Sequence, residues 1–343
     1  MAVLGAVLGA GLAASLAACR EKDALAPFTD SRIPPGLDRR FYPPEGWAWG
    51  LIKIGDAPAA RYGVSAPTGV PRADLLILTA YGEPAEVWFE TASALNARGY
   101  VVWVLEPIGQ GGSGRYVAPR DIGHAPSLDP DAKAAAGLIA AVVRRRPAIL
   151  VADGTSAAAG LQALSASGAD RLILSAPFLE TQSSDALSQT GLLRRLRLDW
   201  LRAPGGGAWS REGPDDHALG LTHDVARGKL RLAWQTANPD LRMGGPSWGW
   251  RAAASDAAEA ADRVQTPKPV LVLQPEPGAA RAISLCRKLQ RCRLQPLPSA
   301  GPALELEAEK TRGAWLSAIE TFAEQSIVGF SPRPAQTRDE PKG

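Results

Sequence analysis

The chain has 343 residues, of which 45% are hydrophobic and 21% charged, and its formal net charge is +3. These proportions predict one large soluble domain with a substantial hydrophobic core. No basic stripe interleaved with aromatic residues occurs, which excludes a typical nucleic-acid-binding protein.

The N-terminus is small and apolar over residues 1–18 and ends at Leu16-Ala17-Ala18-Cys19. This stretch is short for a membrane span of about 20 residues. It resembles a bacterial lipoprotein signal peptide, although no Lys or Arg precedes Arg20. The resemblance implies export, cleavage before Cys19, and acylation of Cys19 to anchor the protein to an envelope membrane facing the periplasm. An uncleaved apolar anchor is the alternative.

The composition of the remaining residues predicts a tether, a core, a cap insertion and a tail. Residues 19–44 are rich in Pro and charge and are predicted to form a tether. The core is predicted at 45–177 and 262–330, interrupted by a cap insertion at 178–261. Residues 331–343 have no apolar periodicity and are predicted to be disordered.

An alternation of strands and helices begins after the tether. Leu75 to Ala80 is an apolar strand, Glu83 to Arg98 a helix, and Tyr100 to Leu105 a second strand. This order predicts an α/β fold with a mostly parallel sheet. A glycine-rich stretch, Glu106 to Arg115, follows the second strand.

The strand from Ala148 to Ala152 leads into small residues, Asp153 to Ala158, and then into an Ala-rich helix. This is the frame of a nucleophile elbow, in which a sharp strand-to-helix turn exposes a serine hydroxyl. One register makes Ser156 the nucleophile, and the other puts Gly154 at that position and leaves no nucleophile. We expect Asp153 to cap the helix, because its carboxylate can accept from the first-turn N–H groups.

A serine nucleophile needs a base, which in this fold follows it in the chain. The only histidines are His124, His217 and His223, and none lies in the last 120 residues. We interpret all three as loop or surface residues. His217 or His223 reaching Ser156 from the insertion is the alternative.

The insertion contains Leu192 to Leu201, whose spacing predicts an amphipathic cap helix, and a flexible loop at Gly205 to Gly207. Its aromatic residues suit either a core or a lipid-binding cleft. They are Trp200, Trp209, Trp234, Trp248 and Trp250.

Two further cysteines, Cys286 and Cys292, lie at the end of a predicted helix and the start of the next strand. They are close enough to form a disulfide in an oxidising compartment, and a pair of free thiols is the alternative. No second Cys or His cluster accompanies them, so we predict no metal site and no cofactor.

Several stretches in this order resemble the lysophospholipase and monoacylglycerol lipase group of α/β-hydrolases, whose domain is of the serine aminopeptidase type. The likeness extends from about Arg40 to Phe322. The segments that carry the likeness are Arg40 to Pro44, Glu106 to Arg115, Leu221 to Asp224, Gly244 to Trp250, Pro269 to Gln274 and Cys286 to Leu297. The resemblance implies an α/β-hydrolase fold with a helical cap.

The resemblance also assigns the catalytic positions. The family's aspartate falls on Gly278, and its histidine falls on Pro302, which has no titratable group. Glu307 and Arg312 still match the family pattern downstream and fix the register. We therefore expect a degenerate triad at Gly154, Gly278 and Pro302.

The remaining cleft residues depart from the family as well. Tyr81 and Gly82 stand at the oxyanion turn next to Thr155 of the elbow, and Tyr81 is bulky for that place. Glu106 stands where the family has aspartate and is interpreted as structural. Glu276 follows the strand before Gly278, but no histidine is near enough in sequence for it to orient.

The favoured hypothesis is a lipid-anchored pseudoenzyme that binds a lipid, an acyl-ester-like molecule or a protein partner of unknown identity through the old cleft. An active esterase or lipase that uses Ser156 with an unconventional base is the alternative.

Overall fold

The computed structural model of the chain describes residues 25–142, 146–276 and 279–328. Cys19 and Gly278 lie outside the described residues, as do the predicted signal at 1–18 and the predicted tail at 331–343. None of the helices in the described ranges is both long enough and apolar enough to cross a bilayer.

An eight-stranded sheet in the order β1-β2-β4-β3-β5-β6-β7-β8 forms the centre of the fold. Strand β2 is antiparallel to β1 and β4, and the other neighbours are parallel. The predicted α/β-hydrolase architecture is confirmed. The strands are β1 (Ala48–Ile52), β2 (Ala60–Ser65), β3 (Ala73–Leu78), β4 (Tyr100–Leu105), β5 (Ala148–Asp153), β6 (Arg171–Ser175), β7 (Val270–Pro275) and β8 (Cys292–Leu297).

The helices cover both faces of this sheet. They are α1 (Phe89–Asn96), α2 (Asp129–Val142), α3 (Ala157–Ala166), α4 (Ser184–Arg195), α5 (Val225–Gly228), α6 (Leu230–Ala237), α7 (Trp248–Ala261), α8 (Ala280–Lys288) and α9 (Glu309–Ile327). Short 3-10 helices lie at Arg39–Phe41, Ala85–Trp88, Gly154–Ser156, Pro239–Leu241 and Leu304–Leu306.

Helices on both faces explain why the central strands are apolar without alternation. In β3, Leu76 and Leu78 point into the core under α2, α3, α7 and α8, and Leu75 and Ile77 point into the core under α1 and α9. Parallel strands buried on both faces have this composition. The carboxyl ends of β3, β5, β6 and β7 consequently meet at one edge, where ligand sites of open α/β sheets form.

Helices α4 to α7 lie in the predicted cap insertion. The predicted helix at Leu192 to Leu201 is wrong in its bounds: α4 begins after Ser183, whose hydroxyl accepts from the Ala186 N–H, and ends at Arg195. Arg197 has a φ of 58°, which the helix cannot continue through.

The structure also describes part of the predicted tether and the predicted cysteine pair. Within the predicted tether, residues 25–44 lie against the domain: the Phe28 N–H donates to the Gly112 carbonyl at 2.7 Å, and Phe41 is buried. Cys286 on α8 and Cys292 on β8 form a disulfide, with their Cα atoms 5.2 Å apart.

Candidate active-site cleft

A cavity of about 220 Å³ opens where the carboxyl ends of β3, β5 and β6 meet the loop after β8. It brings together Gly154 and Pro302, the positions at which the sequence analysis expects the nucleophile and the base. The cavity is lined by Ala80, Tyr81, Glu83, Asp153, Gly154, Thr155, Ala176, Phe178, Asp216, Leu221, Arg231, Pro302, Ala303, Glu305 and Leu306.

The sharp turn of the elbow falls on Gly154. Its φ of 46° lies in the left-handed region, and a single 3-10 turn then leads into α3. An ordinary side chain is costly in this conformation, whereas glycine is not. The strained position of a nucleophile elbow therefore carries no side chain here.

Ser156 points away from the cavity. Its hydroxyl donates to the Thr79 carbonyl oxygen at 2.6 Å, and the residue is only 7% exposed. It faces a narrow, nearly filled space beneath β3 and β4, beside Leu78 and Glu106. The first register would thus place its nucleophile in the core.

The backbone donors of the oxyanion turn already have partners. The Tyr81 N–H donates to Thr155 Oγ1 at 2.8 Å, and the Gly82 N–H donates to Gln110 Oε1 at 2.8 Å. If Ser156 were the nucleophile, the elbow donor after it would be occupied as well, because the Ala157 N–H donates to the Gly154 carbonyl. An oxyanion hole needs N–H groups that are free to meet developing charge. These three donors are occupied by the protein itself.

All three histidines lie in loops, as expected; two are at the surface and one is buried. His124 is buried rather than at the surface, because the loop that carries it packs under α7, where its Nδ1 lies 2.8 Å from Ser247 Oγ. His217 is exposed, with Nδ1 3.1 Å from the Thr222 carbonyl. His223 is also exposed, and its Nδ1 lies 2.8 Å from Glu307 Oε1. No histidine is among the described residues that line the cavity.

Three buried carboxylates stand at the base of the cavity instead. Glu83, Asp153 and Glu305 are each at most 7% exposed, and their carboxylate oxygens lie within 4.8 Å of one another. Glu83 Oε2 accepts from the Ala80 N–H at 3.2 Å and from Trp88 Nε1 at 3.0 Å. Asp153 Oδ1 has no hydrogen-bond partner among the described residues, and the Glu305 carboxyl hydrogen-bonds that of Glu83.

Asp153 therefore does not cap the elbow helix, and that prediction is wrong. Its side chain makes no capping hydrogen bond and is turned under the sheet edge toward Ser175, which hydrogen-bonds the carboxylate. The strand alternation decides this, because Asp153 is still the last residue of β5 and its side chain follows the pleat. The sequence gives no sign that Glu83 and Glu305 are site residues, because no local motif surrounds either one.

Burial raises the pKa of all three carboxyl groups. Desolvation is the main cause, and the negative neighbours add to it: Glu83 raises the pKa of Asp153, and Asp153 raises that of Glu305. None of the described Lys, Arg or His side chains forms an ion pair with these groups. The nearby Arg231 is paired with Asp216 at the cavity wall. The three carboxyl groups at the base of the cleft thus have no ion-pair partner among the described residues.

Glu106 has a structural role in this arrangement. It is fully buried and accepts from Arg61 Nε at 2.7 Å and from the Ala85 and Gly112 N–H groups. Glu276 is exposed at the end of β7 and does not line the cavity.

The aromatic lining of the cavity comes from residues other than the tryptophans of the insertion. Tyr81 and Phe178 are the aromatic residues of the cavity wall. Trp234 is 1% exposed and packs on Phe89 in the core, and Trp250 supports the Tyr81 ring from behind at 4.5 Å. None of the described tryptophans of the insertion is among the residues that line the cavity.

Solved structures with the same fold align with this chain over nearly all of their own length. The monoglyceride lipase of Saccharomyces cerevisiae, solved as a soluble variant with a substrate analogue, is 14% identical, covers 88% of this chain and 98% of its own, and has a TM-score of 0.60. The monoacylglycerol lipase of Paleococcus ferrophilus is 16% identical, covers 78% and 98%, and has a TM-score of 0.59. A thermostable carboxyl esterase from Bacillus coagulans, solved with glycerol, is 12% identical, covers 82% and 99%, and has a TM-score of 0.60.

No curated protein matches the chain in sequence. The sequence profile described as serine aminopeptidase, S33, matches residues 69–277, which is more than half of the chain. The matched segment contains β3 to β7, the elbow and the whole cap. The chain therefore belongs to the serine aminopeptidase S33 family and has an α/β-hydrolase fold of the monoacylglycerol lipase type.

Proposed function

We propose that this protein is a non-hydrolytic member of its family that binds a small lipid-like or acyl-ester-like molecule in the cleft. The observation that carries the proposal is the left-handed Gly154 at the elbow, where a nucleophile would stand. Acyl transfer needs a nucleophile, a base and free oxyanion donors together. Gly154, Pro302 and the occupied Tyr81 and Gly82 N–H groups supply none of these.

The cavity wall supports an apolar ligand. Phe178, Leu221 and Leu306 line it opposite the polar base, and Phe178 is 50% exposed although it is a large aromatic residue. A largely apolar pocket with a few convergent polar groups is the usual form of a small-molecule site. Because its fold relatives include monoacylglycerol lipases, a short-chain monoacylglycerol is the first ligand to test.

The test is a calorimetric titration of the full-length chain with monocaprylin, a short-chain monoacylglycerol, followed by mass analysis of the ligand. We expect saturable binding and recovery of the intact ester. Phe178→Ala should weaken binding several-fold, and Leu192→Ala should not, because Leu192 is equally exposed but lies on α4 away from the cavity. Release of caprylic acid, or equal binding by both variants, would contradict the proposal.

We further propose that the protein is exported and anchored by an acylated Cys19. The sequence around Cys19 supports this, and so does the exposed surface of the cap, where Leu192, Leu196 and Leu198 stand among arginines. Apolar side chains mixed with basic ones suit the surface of an anionic bilayer. Metabolic labelling with a palmitate analogue should mark the wild-type chain and not Cys19→Ala; equal labelling of both would contradict acylation at this residue.

A further inference from the structure

We propose that Glu83, Asp153 and Glu305 form a binding site for a hard divalent cation, Ca²⁺ in the first place, at the base of the cleft. The site does not depend on whether the cleft also binds a lipid-like molecule.

The distances suit one ion. The three side chains offer oxygens that lie within 4.8 Å of one another. Two ligands of one Ca²⁺ at about 2.4 Å each can be at most about 4.8 Å apart, so each pair of these oxygens is close enough to share one ion. The neighbouring cavity of about 220 Å³ gives room for the water ligands that complete the coordination and for the entry of the ion.

A second observation points to a ligand independently of the clustering. Asp153 is 3% exposed and lines the cavity, and its Oδ1 has no hydrogen-bond partner among the described residues, whereas the Glu305 carboxyl hydrogen-bonds that of Glu83 within the cluster. Buried polar groups almost always have partners, and an orphaned one indicates a missing ion or water. A buried carboxylate in particular is paired or coordinates a metal.

The donor chemistry selects the class of ion. All three side chains offer oxygen, and no Cys or His belongs to the group. Oxygen-only sets favour Ca²⁺ and Mg²⁺ over zinc or copper. Mg²⁺ demands near-ideal octahedral geometry, whereas Ca²⁺ tolerates irregular sets such as one strand end, one loop and one 3-10 helix.

The surroundings hold the carboxylates in place. The Trp88 and Ala80 N–H groups fix Glu83, and the Ser175 side chain hydrogen-bonds Asp153. Ser175 in turn accepts from Trp315 Nε1 at 3.2 Å. Hydrogen bonds of this kind to liganding groups orient them and tune affinity.

The test is a calorimetric titration of chelator-treated full-length chain with CaCl₂, and then with MgCl₂. We expect one Ca²⁺ site with a Kd near about 10⁻⁴ M, as in extracellular calcium modules, and weaker Mg²⁺ binding. Glu305→Gln and Asp153→Asn should each weaken Ca²⁺ binding by more than about tenfold. Asp262→Asn is the control, because Asp262 is paired with Arg281 and does not line the cavity, and it should keep Ca²⁺ binding.

Thermal unfolding provides a second readout. Ca²⁺ should raise the melting temperature of the wild type and not that of Glu305→Gln. Without Ca²⁺, Glu305→Gln should melt higher than the wild type, because the substitution removes a carboxyl group whose ionisation is opposed by burial and by its acidic neighbours. A cooperatively folded wild type that binds no divalent cation would overturn the proposal. Undiminished Ca²⁺ binding by both Glu305→Gln and Asp153→Asn would overturn it as well.

Discussion

The Ser156 hydroxyl donates to the carbonyl oxygen of Thr79 at 2.6 Å, beneath the sheet edge and away from the cleft. This bond ties the first turn of the elbow to the end of β3. The serine that the elbow sequence offers as a nucleophile thus acts, in this structure, as a link between two elements of the core.

Ser156→Ala should therefore change stability and not chemistry. The loss of one buried hydrogen bond, which leaves the Thr79 carbonyl unpaired, should lower the free energy of unfolding by about 1–2 kcal/mol. Urea unfolding checks this value. Ser188→Ala is the control, because that exposed serine bonds only within its own helix, and it should change stability by less than about 0.5 kcal/mol. Equal stability of Ser156→Ala and the wild type would contradict the structural role.

Gly154→Ser should place a hydroxyl at the nucleophile position without producing an esterase. The φ of 46° should cost about 1–2 kcal/mol for a non-glycine residue, and a new Cβ would lie 3.1 Å from the Ala80 Cβ. Hydrolysis of p-nitrophenyl butyrate should stay at the wild-type background, because Pro302 cannot act as a base. Gly191→Ser, at a helix position with open space, should be neutral or stabilising. Rapid ester hydrolysis by Gly154→Ser would show that a base is present after all.

Glu106→Gln should destabilise the fold strongly. Arg61 is fully buried between Glu106 and Glu86, and Glu106 also accepts from two backbone N–H groups. Breaking a buried ion pair by neutralising one partner should cost about 3–5 kcal/mol. Denaturant unfolding measures the loss, with the exposed Glu259→Gln as the control. A change below about 1 kcal/mol would exclude this structural role of Glu106.

His124 should make the protein sensitive to mild acid. Burial lowers the pKa of His124; Asp199 opposes this shift and Arg194 adds to it. As the pH falls below about 6.5, the unfolded chain protonates this histidine while the folded chain resists, so stability is lost. His124→Gln lacks this penalty, although it loses the bond to Ser247, worth about 1 kcal/mol.

The measurement is the free energy of unfolding of both proteins at pH 7.5 and pH 5.5. The stability deficit of His124→Gln should be largest at pH 7.5 and should narrow at pH 5.5. A deficit that widens toward acid pH would mean that the folded state binds the proton more tightly than the unfolded chain does.

The sequence predicts the sheet and the elbow because each rests on a local pattern, whereas the position of Pro302 is assigned by the resemblance to the family. The apolar strand before Gly154 and the small residues after it determine the turn within a few positions. The carboxylate cluster has no such pattern. Glu83 follows β3 and Glu305 follows β8, and only the folded sheet brings them to Asp153.

Asp153 illustrates a second limit. A carboxylate before a helix satisfies the local pattern of an N-cap, and the sequence offers no reason to prefer another role. The pleat of β5 continues through this residue and turns the side chain toward Ser175. His124 likewise lies in a loop whose burial depends on packing against the distant Ser247.

The most direct test of the non-hydrolytic cleft is labelling of the purified full-length chain with a fluorophosphonate probe, which reacts with activated serines. Wild type and Ser156→Ala should both remain unlabelled while unfolding cooperatively in urea, because Ser156 Oγ is bonded to Thr79 in the core. Labelling of the wild type that disappears in Ser156→Ala would contradict the account and identify the protein as a serine hydrolase.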